Sequence, residues 1–153
     1  MNNFGVVGAP SARTYNYEAV FGSSEKELPK SFLLPEDRIP DLTDQGTVNA
    51  CCAFVIAQIL QIFHRIEFGK DEKFSAGWIY AMHRLAEAVY QGMNPDSLVK
   101  ILCEFGSVPT KYYNELYEMP EMREKVLANP HFEKLLEIAK KTKIEGFVGF
   151  GIR

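Results

Sequence analysis

The chain lacks most of the features that would assign a function class at once. It has three cysteines in 153 residues, and two of them, Cys51 and Cys52, are adjacent. Three thiols cannot close a disulfide framework, and a bridge between neighbours is strained. No Cys-x-x-Cys or His-x-x-x-His spacing occurs, so no metal site is expected. Positive charge is not in excess: 17 Lys and Arg stand against 20 Asp and Glu, a net charge of -3. A nucleic-acid partner would need a basic face, so none is expected. The longest apolar run, Ala50 to Ala57, is too short to cross a bilayer, and no membrane partner is expected. The N-terminus has no basic head followed by an apolar core, so no secretory signal is expected, and reduced thiols favour a cytoplasmic setting. No Gly-x-Ser-x-Gly element supports an α/β-hydrolase. Gly146, Gly149 and Gly151 are not followed by a helix, so no dinucleotide loop and no cofactor are expected.

What is present is ordinary globular material, 46% hydrophobic and 24% charged. Residues 1–27 mix Gly, Pro, Ser and Tyr without a period and read as an extended arm; residues 28–153 read as the domain. The first helix is expected from about Asn49, as N-cap, to Phe68, with Gly69 as its stop. Cys52, Val55, Ile56, Ile59, Ile62, Phe63 and Ile66 recur at helical steps, which makes it the helix expected to be most buried. A second helix follows the cap Ser75 and ends at Gly92. A third starts at Pro95, after Asn94, and ends at Gly106. These three are expected to pack as a bundle, with Cys51 at the exposed start of the first. Pro120 to Lys143 reads as a polar helix broken near Asn129-Pro130, and Ile144 to Arg153 as the start of a strand.

The informative segment is Asp44 to Phe54. A cysteine in the first turn of a helix feels the positive end of the helix dipole, which favours thiolate. Gln45, upstream across the Gly46 turn, can fold back beside it and donate its amide to an oxyanion near the sulfur. Cys51 and Gln45 are therefore the candidate nucleophile and oxyanion donor. Cys52 and Cys103 read as core residues.

Gln45-Gly46-Thr47-Val48-Asn49-Ala50-Cys51-Cys52-Ala53-Phe54 resembles the Gln-Gly-x-Cys-Gly-Ser-Cys-Trp-Ala-Phe pattern of the papain-like cysteine peptidases. Leu28 to Phe32 and Leu42 to Gly46 resemble the mature start of bacterial members. Phe74 to Tyr80 resembles the start of their second helix, and Ser97 to Pro109 their third helix and its turn. The resemblance implies an α+β papain-like fold, mainly its helical half with the beginning of the β-rich half, incomplete on its C-terminal side. It also implies a peptide or protein substrate. Cys51 falls on the nucleophile, Gln45 on the oxyanion-hole amide, and Gly92 and Met93 on the glycine segment that pairs with substrate backbone.

The sequence departs from the family at three points. Cys52 stands where Trp is usual, and Val48 where a disulfide cysteine is common. The histidine and asparagine expected about 130–150 residues after the nucleophile have no counterpart in the 153 residues. Two readings follow: a cysteine peptidase chain without its general base, or a non-catalytic papain-like module that binds peptides or partners. Either leaves an apolar face to be covered, by homodimerisation or by association with a C-terminal half.

Overall fold

The computed structural model describes residue 31, residues 33–86 and residues 95–144. Five helices form the body: α1 (Cys51–Phe68), α2 (Ala76–Ala86), α3 (Pro95–Glu104), α4 (Glu121–Leu127) and α5 (Phe132–Ala139). Single 3-10 turns occupy Glu36–Arg38 and Lys140–Thr142.

The expected α+β class is not what the described residues form. They contain no strand, and their only β pairing is the bridge between Phe74 and Pro109. The expectation drew on the resemblance and on the alternation in Ile144 to Arg153, of which residues 145–153 lie outside the described residues. Elsewhere the sequence carries helical periodicity and helix stops, and the regular elements among the described residues are helices.

The central element is α2. It packs against α1, α3 and α4, while α1 also packs against α3. Ser75 sets its start: the Ser75 hydroxyl accepts a hydrogen bond from the Trp78 N–H at 3.0 Å. Trp78, Ile79, Tyr80, Ala81 and Met82 follow, all buried. The Trp78 ring meets Tyr113 edge-on at 6.3 Å and lies 6.0 Å from Phe132, which ties α2 to the segment between α3 and α4 and to α5. Gly77 is required there, because a Cβ at that position would lie 1.9 Å from the Glu115 carbonyl oxygen. The predicted end of this helix at Gly92, and the Asn94 cap, lie outside the described residues.

The three-helix bundle therefore forms, but its most buried member is α2 rather than α1. The buried side chains of α1 are Cys52, Ala53, Ala57, Leu60 and Gln61. Of the expected core stripe, Val55, Ile59, Phe63 and Ile66 are exposed. The small alanines let α1 approach the body closely, and the larger apolar side chains lie on the opposite side. A helix that is apolar nearly all round does not reveal by period alone which side is covered. By length and a mean hydropathy of 1.4, α1 could cross a membrane, but one side of it is held in the helical body.

Other boundaries follow local chemistry. Gly69 closes α1 at φ 62°, with its N–H bonded to the Arg65 carbonyl at 3.1 Å. The polar helix divides at Asn129-Pro130 as expected, where the Asn129 side chain accepts from the His131 N–H at 2.8 Å.

Candidate active site

The segment before α1 is held along that helix by side chains of α1 itself. Arg65 donates to the Ile39 carbonyl at 2.8 Å, and Gln58 donates to the Thr43 hydroxyl at 3.1 Å. The chain then turns at Asp44, whose carboxylate accepts from the Gly46 N–H at 2.8 Å. Gly46 takes φ 61°, a conformation that favours glycine. This turn holds the half-buried Gln45, and Cys51, six residues on, is the first residue of α1. No hydrogen bond joins the Gln45 amide to Cys51 among the described residues.

Asn49 is not the cap. The N-cap is Ala50, fully buried, and no side chain caps the first turn. Asn49 instead donates its backbone N–H to the Glu118 carboxylate at 3.3 Å. The first-turn amides beside Cys51 are therefore left without the side-chain acceptor that most helices supply there. Sequence reasoning missed this because Asn is so strong a cap former. The Asp44 turn, by contrast, was signalled by an Asx residue two positions before glycine.

The two adjacent thiols differ. Cys51 is half-buried, whereas Cys52 points into the core. Burial, together with the neighbouring Cys51 and a hydrogen bond to it, pushes the Cys52 thiol up to about 11. Burial also raises the thiol of Cys103. Cys52 behaves as a core residue as expected, while Cys103 is only half-buried.

The three histidines sit on different elements. His64 lies thirteen residues further along the same helix, about 20 Å away at 1.5 Å per residue. Its Nδ1 is paired with the Lys70 carbonyl at 3.0 Å, and its ring packs on Phe68 and Phe74. His83 is fully buried in α2, and His131 precedes α5 on the surface. Gly92 and Met93 lie outside the described residues. No cluster of three or more potential metal ligands occurs among the described residues. A cleft of about 90 Å³ beside Thr43, Phe54, Gln58 and Asn114 is not lined by Cys51 or Gln45.

The fold is similar to that of xylellain, a cysteine protease from Xylella fastidiosa. The TM-score is 0.62 over 98% of this chain, at 17% sequence identity. At that identity the likeness is one of fold. The chain spans 59% of the xylellain chain. No protein-family model and no curated protein matches the sequence.

Proposed function

We propose that this chain is the nucleophile-bearing part of a papain-like cysteine peptidase, with Cys51 as nucleophile and Gln45 as oxyanion donor. The observation that carries the reading is the setting of Cys51. It is a half-buried thiol, first in a helix whose opening turn has no side-chain cap, with Gln45 in the turn six residues before it. The likeness in fold to a cysteine protease supports the same reading.

In this reading the Cys51 thiolate attacks a peptide carbonyl carbon, and the carbonyl oxygen becomes an oxyanion. In this reading the first-turn N–H groups and the Gln45 amide donate to that oxygen. Collapse releases the amine, which must take up a proton as it leaves, and water then hydrolyses the thioester. The histidine that papain-like enzymes carry about 130–150 residues after the nucleophile to give that proton has no counterpart in the 153 residues. The second reading, a non-catalytic peptide- or partner-binding module, draws its support from the same observation.

The test is a fluorogenic peptide assay of this chain, of a longer form carrying a downstream histidine, and of Cys51→Ala in that longer form. The chain alone is expected to turn over little substrate. The longer form should be active, and Cys51→Ala should reduce its rate by three or more orders of magnitude, on the order of the losses seen when a nucleophile is removed. Inactivity of the long form, with peptide binding retained, would favour the binding module.

A further inference from the structure

We infer that Glu118 is a positioning residue for Cys51: its carboxylate holds Asn49 in a turn that keeps the Asn49 side chain off the first-turn amides of α1, so that these amides remain for an oxyanion. The inference rests on the reading of Cys51 as nucleophile. Asn is among the strongest N-cap residues, and Asn49 stands one residue before the position that Ala50 takes. With Asn49 as the cap, Ala50, Cys51 and Cys52 would be the first three helical residues. The Asn49 side-chain oxygen would then accept from the N–H of Cys51 or Cys52. Those are amides that the proposed reaction uses, so a cap formed by Asn49 would compete with the oxyanion for them.

The backbone shows why that cap does not form. The Ala50 N–H donates to the Val48 carbonyl at 2.8 Å, which closes a three-residue turn centred on Asn49. No non-glycine residue among the described residues has a positive φ, so this is the inverse γ-turn, whose central residue is bent. An N-cap residue is typically extended. Ala50 stands at the cap position instead, and no side chain caps the helix. Glu118 grips the centre of the turn, accepting the Asn49 N–H at 3.3 Å. That grip is anchored in the body. The Glu118 carbonyl accepts from the Met122 N–H at 3.0 Å, Met122 is fully buried, and α4, which carries it, packs on α2. The Glu118 residue itself is exposed, so a change of its side chain alters this bond without opening the core. Once the grip is lost, Asn49 can extend and cap α1.

The test uses the full chain at pH 7. It reads amide hydrogen exchange in the first turn of α1 by NMR, and the alkylation rate of Cys51 with iodoacetamide, a neutral reagent. In Glu118→Ala, exchange at Cys51 or Cys52 and alkylation of Cys51 should each slow by about fivefold, the factor that an Asn cap is typically worth. Charge alone gives the opposite sign for alkylation, because removing a carboxylate favours the thiolate. Glu118→Gln keeps an acceptor oxygen and should stay within about twofold of the wild type in both rates. The double variant Asn49→Ala/Glu118→Ala has no side chain with which to cap, and should return both rates to the wild-type range. A Glu118→Ala chain whose two rates are unchanged or faster overturns the inference. So does a double variant that stays as slow as Glu118→Ala. A general loss of protection across α1 and α2 in Glu118→Ala also overturns it, since the bond would then hold the fold rather than the turn. None of these readouts is turnover, so a longer form that is inactive while the rates behave as expected counts against the peptidase reading alone.

Discussion

The two neighbouring cysteines show how little separates a candidate nucleophile from a core residue. One step along a helix rotates a side chain by about 100°. That rotation leaves Cys51 partly open and turns Cys52 inward, where burial lifts its thiol to about 11. At neutral pH the Cys52 thiolate is therefore scarce. Limited treatment with iodoacetate is expected to label Cys51 first, Cys103 next and Cys52 last. Peptide mass mapping over time reads that order, and preferential labelling of Cys103 would remove the case for Cys51. The motif that singles out Cys51 was legible in the sequence. The uncapped Ala50 was not, because the Asn49 N–H is drawn to Glu118, a residue far along the chain.

At the scale of elements, α2 is held by a cap and by one close approach. The cap is Ser75, and the approach is Gly77 against the Glu115 carbonyl. An added methyl at Gly77 would meet backbone, which cannot swing aside as a side-chain tip can. Gly77→Ala is expected to destabilise the fold by about 2–3 kcal/mol, the upper part of the usual range for overpacking, even though alanine is the better helix former. Urea unfolding followed by circular dichroism measures this, and a variant of unchanged midpoint would contradict it. Helix existence was largely readable from period and punctuation: Gly69, Ser75, Pro95 and Gly106 all mark real boundaries. The orientation of α1 was not, because it has an alanine side and an Ile/Val/Phe side, and both satisfy a helical period.

At the scale of the molecule, one arginine joins the chain before α1 to the turn after it. Arg65 donates to the Ile39 carbonyl at 2.8 Å and pairs with Asp71 at 2.7 Å, and Asp71 also accepts from Gln61. The bonds from Arg65 and Gln61 lower Asp71 from 3.8 to about 2. A carboxylate with a depressed folded pKa contributes stability that is present above its unfolded pKa. That contribution is lost as pH falls from about 4 to about 2. Asp71 is half exposed, so solvent screening limits its contribution to about 0.5–1 kcal/mol. Asp71→Asn is therefore expected to lower stability by that amount at pH 7 and to leave it nearly unchanged near pH 2. Thermal melts at the two pH values read the difference, and an equal loss at both would contradict the assignment.

The helical segments, most of their stops, and the one stretch that matches a cysteine-nucleophile motif were legible in the sequence. These are local properties: period, cap, turn residue and motif spacing all act within a few residues. Tertiary structure decided that α2 rather than α1 is the centre of the body. It also decided that Ala50 rather than Asn49 begins α1, and that the large apolar side of α1 faces outward. Those outcomes depend on which surfaces meet. Small side chains permit the closest approach, so the alanine side of α1 is the side that packs, and the larger side chains are left exposed.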